Sequence, residues 1–191
     1  MNSAFVNINT LVNKKRFETS MFVEYAEFAV LCLIAAGIPL VVRHPQLFVG
    51  VMVNFALMVT AVNMRGWQKI VPLIILPSIA AAIGGFLFGS FTMYLVYLIP
   101  VIWLGNASLV FLMKYLHLQR KVPFIAAVPV ASVVKMLILF SVTLVLVFSG
   151  VLPSMFLTAM GLMQLLTAIV GGMVAFPVTF GYQHFFQETK Q

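Results

Sequence analysis

The stretch PFIAAVPVASVVKMLILFSVTLVLVF, residues 123–148, contains a single charged side chain, Lys135, among almost only apolar residues. A run of this length exceeds the ~20 residues that an α-helix needs to cross the hydrocarbon core of a bilayer. Lys135 lies near the middle of such a helix, too deep for its ammonium group to reach either headgroup region comfortably. The stretch therefore predicts a transmembrane helix and a lysine that needs a partner within the bundle.

The whole chain has the composition of an integral membrane protein. Of its 191 residues, 63% are hydrophobic and only 8% are charged, whereas soluble domains carry about 25% charged residues. A soluble fold would have too little polar surface to cover so much apolar side chain. The single cysteine, Cys32, excludes an internal disulfide, and the N-terminal residues lack the pattern of a cleaved signal peptide.

Five further apolar stretches resemble the first, and short polar connections separate them. The six predicted spans are approximately residues 21–42, 46–64, 68–88, 92–116, 123–148 and 155–180. Runs this long are helices rather than the alternating ~10-residue strands of a membrane barrel. The sequence predicts an all-α, six-helix transmembrane domain at residues 21–181, between an N-terminal segment at 1–20 and a tail at 182–191.

Basic residues collect on one side of the six-span arrangement. Arg43 alone falls in a connection on the other side, and Lys135 lies within a span. The other nine lie at the termini, or in the connections after the second and fourth spans and the span ends beside them: Lys14, Lys15, Arg16, Arg65, Lys69, Lys114, Arg120, Lys121 and Lys190. Since positive charge concentrates in cytoplasmic loops, we expect both termini in the cytoplasm. Anionic lipid headgroups then account for the net charge of +7, without a nucleic-acid partner.

A layer of polar residues accompanies Lys135 at mid-membrane depth. Ser132 and Thr143 lie on the same face of its helix, and this stripe is expected to face the bundle interior. The candidate substrate-binding residues are Lys135, Asn106, Trp103, Gln164, Asn54 and Ser132. A purely structural interpretation stays open, in which the amides of the layer join helices through hydrogen bonds and Trp103 only packs.

Three kinds of partner for Lys135 are open from the sequence. The chain has no aspartate, and Glu27, the deepest of its four glutamates, lies nearly two turns from the depth of Lys135. The first partner is this glutamate, in a stretched pair. The second is a side-chain carbonyl of Asn106 or Gln164. In this structural interpretation the lysine can also be neutral and need no counter-charge. The third is the anionic group of a bound ligand, which would offset the ~2.5–3.5 kcal/mol cost of placing a lysine in a membrane.

Motifs of catalysis and metal binding are missing from the sequence. It has no G-x-S-x-G, H-E-x-x-H or P-loop motif, and no nucleophile with a partner at matching depth. The three histidines, His44, His117 and His184, fall far apart at connections or in the tail. The bundle also lacks the acidic relay of a proton-driven transporter. We therefore expect no enzyme activity, metal or cofactor, and we expect any transport to draw its energy from another chain.

Three stretches resemble a known family of membrane proteins. They are LPSIAAAIGGFLFGSF (76–91), LIPVIWLGN (98–106) and MGLMQLLTAIVGGMVAF (160–176). With six helices, cytoplasmic termini and short outer connections, residues 21–181 look like a substrate-binding S component of an energy-coupling factor (ECF) transporter. The resemblance implies a multi-pass protein of a bacterial or archaeal plasma membrane that binds a vitamin or related micronutrient in the outer half of the bundle.

The resemblance also implies protein partners. In this family the first helix packs through small residues on a transmembrane coupling subunit, which two cytoplasmic ATPase subunits carry. The Ala-x-x-x-Ala pattern of the family is absent here. Ala29, Cys32 and Ala36 instead form a small-residue face with spacing i, i+3, i+7, which suits a similarly close approach between helices.

Glycines between the third and fourth spans predict a mobile cover over the ligand. Gly84, Gly85 and Gly89 lower the cost of changing backbone dihedral angles, and no charged residue anchors this connection. We therefore expect these residues to form a gate loop.

Two other functions remain open from the sequence. One is a transporter or channel for small solutes that works alone or as an oligomer. The other is a membrane anchor or assembly subunit of a larger complex, without transport. Protection from thermal unfolding by a small molecule would separate the solute-binding functions from the anchor. Co-purification with an ATPase pair would separate the importer subunit from the stand-alone transporter.

Overall fold

The computed structural model of the protein describes residues 7–42 and 45–188, with the backbone alone for 182–188. These ranges contain helices and no β-strand. The helices are α1 (Ile8–Val12), α2 (Met21–Val41), α3 (Gln46–Asn63), α4 (Trp67–Gly84), α5 (Gly89–Gln119), α6 (Phe124–Phe148), α7 (Met155–Met160) and α8 (Leu162–Glu188). Six of the described segments are long and apolar enough to cross a membrane: α2 to α6 and the stretch Met155–Gly181, which contains α7 and most of α8. The predicted all-α class and six spans are confirmed.

Glycine, proline and hydroxyl residues set the ends of these helices. Ser20 caps α2, because its hydroxyl oxygen accepts a hydrogen bond from the backbone N–H of Val23 at 3.4 Å. Gly85 ends α4 in the left-handed conformation, with φ of +70°. Pro45 and Pro123 directly precede α3 and α6. The connections between spans are therefore short, as the sequence indicates.

Two π-helical segments interrupt the α-helical register, one at Leu33–Gly37 in α2 and one at Lys114–Gln119 at the end of α5. The first bears on the small-residue face predicted on α2, which assumes an unbroken α-helix. A π-helical turn holds more residues than an α-helical turn, so it rotates the following side chains. Ala29 is exposed, whereas Ala36 is partly buried and Cys32 packs against the core. The three residues do not form one evenly exposed face.

Helix α3 lies at the centre of the bundle and is buried continuously from Asn54 to Val62. It crosses α8 with the two backbones nearly in contact. A Cβ atom on Gly171 of α8 would lie 2.7 Å from both the backbone nitrogen of Phe55 and the carbonyl oxygen of Val51. One on Gly50 would lie 2.8 Å from the side chain of Thr167. The absence of side chains at these two glycines lets polar groups of α3 and α8 meet inside the bundle.

Residues 7–20, which we name the N-terminal strap, pack across one end of the bundle. The side chains of Leu11 and Val12 are buried. The backbone N–H of Gly66 donates to the carbonyl of Val12 at 3.2 Å, and that of Arg16 donates to the carbonyl of Val62 at 2.9 Å. The strap is therefore part of the fold, a role that the sequence did not indicate for this segment.

Basic residues from three segments gather where the strap lies, and we name this the basic end. The buried carboxylate of Glu24 accepts from Lys15 Nζ at 3.0 Å and from Lys69 Nζ at 2.6 Å. Lys114 Nζ donates to the carbonyl of Lys14 in the strap. These contacts bring the strap and the ends of α2, α4 and α5 together, as a six-span path requires.

Which side of the membrane the basic end faces stays a prediction. Arg43 and Lys190, which also entered the charge count, lie outside the described residues.

Candidate functional site

A cavity of about 120 Å³ lies in the half of the bundle away from the basic end. Its lining residues on α3 come from the start of that helix, residues 46–54, and those on α4 come from its second half, residues 77–81. The strap contacts the opposite ends of these two helices. The polar side chains that line the cavity are Gln46, Asn54, Ser78, Asn106, Lys135, Gln164 and Thr167.

Lys135 is 2% exposed and lies on the wall of this cavity. Its Nζ donates to Asn54 Oδ1 at 2.6 Å. The structure thus supplies a neutral amide carbonyl, but from Asn54 rather than from Asn106 or Gln164. An ammonium group carries three N–H donors, and this is its one hydrogen bond in the part of the chain that the structure describes. The protonated form of Lys135 therefore keeps two unused donors.

The interpretation in which Lys135 pairs with Glu27 is wrong. The carboxylate of Glu27 accepts from Asn63 Nδ2 at 2.6 Å. Asn63 is the last residue of α3, at the basic end, whereas Asn54 is in the middle of the same helix. More than two turns of α3 therefore separate the partner of Glu27 from the partner of Lys135. The described residues supply no acidic side chain to Lys135.

Asn54 holds the lysine through a network that joins three helices. Its Nδ2 donates to the carbonyl oxygen of Gly50 at 2.9 Å and to Thr167 Oγ1 on α8 at 3.1 Å. Both amide protons have partners, so Oδ1 is the atom left to accept from Lys135 on α6. This network depends on the close crossing of α3 and α8.

Asn106, which also lines the cavity, carries a second unused polar group. The residue is 1% exposed, and its Nδ2 donates to the carbonyl oxygen of Ile74 at 3.0 Å. Its Oδ1 is buried and has no hydrogen-bond partner among the residues described. Two residues of the cavity lining therefore have free hydrogen-bonding capacity, Lys135 as a donor and Asn106 as an acceptor.

The structure brings four of the six candidate substrate-binding residues to the cavity: Lys135, Asn106, Gln164 and Asn54. Trp103 lies behind the wall, where its Nε1 donates to Ser78 Oγ at 2.8 Å. Ser132 is fully buried, and its hydroxyl donates to the carbonyl of Val128 on its own helix at 2.8 Å. A serine in a helix readily makes this local bond. The polarity of Ser132 was therefore not sufficient evidence that it faces a ligand.

Other residues that line the cavity were not predicted from the sequence as site residues. Gln46 is the first residue of α3 and looked like the polar boundary of a span. Met160 and Met163 line the cavity beside the break between α7 and α8 at Gly161. A Cβ on Gly161 would lie 2.7 Å from the carbonyl oxygen of Leu157. Gly161, which lies within the last predicted span, was the feature of the sequence that could have indicated this break.

The predicted gate loop covers one side of the cavity. Leu87 and Phe88 from this connection line it, and the ring of Phe88 packs on Phe156 of α7 with centroids 5.0 Å apart. Gly85 and Gly89 have φ of +70° and +57°, which favours glycine. The mobility of this connection remains a prediction.

Gly84, also proposed for the gate, has a packing role. Its Cβ would lie 2.9 Å from the carbonyl oxygen of Leu40, so glycine permits α4 to approach α2 closely.

Comparison with known proteins gives no match to a family model, a characterised protein or a solved structure. The chemistry of the cavity is suited to binding: a buried amine, neutral amides and hydroxyls surrounded by apolar side chains. Within the described ranges no three His, Cys, Asp or Glu side chains come together to hold a metal ion.

Proposed function

We propose that this protein binds a small anionic solute inside the membrane and is the S component of an ECF-type importer for a vitamin or related micronutrient. The observation that carries the proposal is Lys135, a buried residue on the wall of a cavity, whose ammonium form keeps two donors unused among the described residues. An anionic ligand group would supply the counter-charge that the described protein residues do not.

The energetic case rests on burial. A lysine at the centre of a membrane helix costs ~2.5–3.5 kcal/mol even on the lenient insertion scale. One hydrogen bond to the neutral carbonyl of Asn54 offsets part of this cost. Hydrogen bonds to a charged group contribute ~1.5–3 kcal/mol each. A ligand carboxylate would therefore gain from two donors that are already desolvated and held in place.

The architecture supports the importer assignment. If the basic end faces the cytoplasm, as the charge distribution predicts, the cavity lies in the outer half of the bundle under a glycine-bounded connection. That is where an S component is expected to capture its solute. The proposal includes a coupling subunit, two cytoplasmic ATPases and a bacterial or archaeal plasma membrane, with no catalytic activity in this chain.

Isolation of the tagged chain from its own cells tests this proposal. In mild detergent we expect a stoichiometric complex with one further membrane subunit and two ATPase subunits. Uptake of the solute should stop when the ATP-binding lysines of those ATPases are replaced. A chain that purifies alone and transports in proteoliposomes without ATP would instead be a stand-alone transporter. A chain in a stable complex without ATPases, and without stabilisation by any vitamin, would be an anchor subunit.

A further inference from the structure

Free hydrogen-bonding groups on the cavity wall specify the ligand more closely than its charge does. We infer that the ligand is a small, single-ring acid that presents an anionic acceptor to Lys135 and, from the same molecule, an N–H or O–H donor to Asn106. This inference rests on the proposed binding function, and it names the chemical class of the solute.

The acceptor requirement comes from Lys135. Its Nζ is held against Asn54 Oδ1 at 2.6 Å. Asn54 cannot turn away without breaking its own bonds to Gly50 and Thr167. The position of the amine is therefore fixed before a ligand arrives, and its two unused donors are available to an occupant of the cavity. An anionic oxygen matches them in charge and in hydrogen-bonding capacity.

The donor requirement comes from Asn106. Its Nδ2 is committed to the carbonyl oxygen of Ile74 at 3.0 Å, which fixes the orientation of the amide. Its Oδ1 is buried without a partner in the described part of the chain. A buried acceptor in this state favours any occupant that brings an N–H or O–H group. A ligand with an acceptor alone would leave Asn106 Oδ1 unsatisfied.

The size requirement comes from the volume of the cavity. At about 120 Å³ it is slightly smaller than the engineered apolar cavity of about 150 Å³ that binds benzene. Its remaining walls are largely apolar and include Leu47, Val53, Ile102 and Met163. One ring with one carboxylate fits this volume, whereas a fused two-ring ligand would extend beyond the cavity or require its walls to move.

Pyrrole-2-carboxylate and furan-2-carboxylate form a matched pair of probes. They have the same size and charge, but only the pyrrole has an N–H donor beside its carboxylate. Calorimetry on the purified protein in lipid nanodiscs gives both dissociation constants. We expect the pyrrole acid to bind at least about fivefold more tightly, since an unsatisfied buried acceptor weakens binding by this much or more.

Variants assign this preference to particular residues. Asn106→Leu should bring the ratio of the two affinities close to one. Lys135→Met should weaken both acids by at least about tenfold. Asn63→Leu is the matched control, because Asn63 Oδ1 is also buried without a described partner but lies beside Glu27, away from this cavity. In Asn63→Leu the ratio of the two affinities should equal that of the unaltered protein.

Equal affinities of the unaltered protein for the two acids would overturn the inference. The inference would also be overturned if neither acid binds at about 10 mM, or if Asn106→Leu leaves the ratio of the two affinities unchanged. If Asn106→Leu fails to fold, the ratio in the unaltered protein and the effect of Lys135→Met decide. If neither acid binds but a larger vitamin stabilises the protein and Lys135→Met removes that effect, the proposed function stands and only the ligand class is wrong.

Discussion

Lys114 and Lys135 are both fully buried lysines, and their hydrogen-bond partners differ. Lys114 Nζ donates to the carbonyl oxygens of Lys14 and Met64, at 2.5 Å and 2.7 Å. Met64 directly follows α3, so the amine lies where the carbonyl ends of a helix dipole favour a cation. Lys114 thereby ties the strap to the bundle. Among the described residues Lys135 has one partner, and it lines a cavity, which leaves it the capacity to bind a ligand.

We predict that Lys114→Met destabilises the protein and releases the strap. The substitution leaves two carbonyl oxygens without their donor, at a cost of ~1–3 kcal/mol for each buried group. The melting temperature in detergent should fall by about 5 °C or more. A cysteine placed at the exposed Asn13 should also react faster with a thiol reagent.

The control for this substitution is Lys121→Met, because Lys121 is exposed on the connection between α5 and α6. It should leave both measurements nearly unchanged. An unchanged melting temperature in Lys114→Met would show that Lys114 does not hold the strap.

The need of Lys135 for a partner could be predicted from the sequence, but the identity of that partner could not. Asn54 reaches it because Gly50 and Gly171 let α3 and α8 cross closely, and this crossing joins residues far apart in the chain. Lys114 looked like an ordinary loop charge, since only the fold places the strap over it. The apolar residues around a charge locate it along a helix but do not identify the groups that surround it in the bundle.

Among the helices, the crossing of α3 and α8 brings Asn54 and Thr167 together in the cavity lining. We predict that Gly171→Ala destabilises the protein by ~1–3 kcal/mol. Its Cβ would meet backbone atoms of Val51 and Phe55 at 2.7 Å, so the helices must separate. Ligand affinity should fall as well, because the bond between Asn54 and Thr167 would lengthen. Thermal unfolding and calorimetry on the same preparation measure the two effects.

Gly181→Ala is the matched control on the same helix, since nothing lies within 4 Å of the added Cβ. Alanine is favoured over glycine in a helix by up to ~1 kcal/mol, so this variant should be as stable as the original or more so. If Gly171→Ala behaves in the same way, the close crossing of α3 and α8 is not required.

The connection between α4 and α5 provides a prediction about motion. Leu87 and Phe88 cover the cavity between glycines with positive φ. A spin label at the exposed Ser90 should become less mobile when the solute binds, while a label at Asn13 in the strap should not change. Equal mobility at Ser90 with and without saturating solute would remove the gate from the mechanism.

Helix positions were predictable from the sequence to within a few residues, because the length of an apolar run is a local property of the chain. The π-helical segment Leu33–Gly37 and the break at Gly161 were not predicted. Neither makes its span shorter or more polar, so the length and composition of an apolar run do not reveal them. This difference explains why the spans are confirmed, while the partner interface at Ala29, Cys32 and Ala36, which differ in exposure, stays a prediction.

For the molecule as a whole, the gathering of basic residues at one end supports a prediction about orientation. In intact cells, with Cys32 replaced by alanine, cysteines at the exposed Ser90 and Ser154 should react with an impermeant reagent. A cysteine at the exposed Arg120, on the basic end, should react only after the cells are opened. Labelling at Arg120 in intact cells would reverse the orientation and place the cavity in the inner half of the bundle.

The paired measurement of melting temperature and solute affinity on Lys135→Met decides whether Lys135 serves the ligand or the fold. Removal of a buried amine offsets the loss of its bond to Asn54, so the melting temperature should stay within a few degrees. Affinity for the vitamin that stabilises the unaltered protein should weaken by roughly one to two decades. A Lys135→Met protein that unfolds easily and binds that vitamin normally would contradict the ligand site.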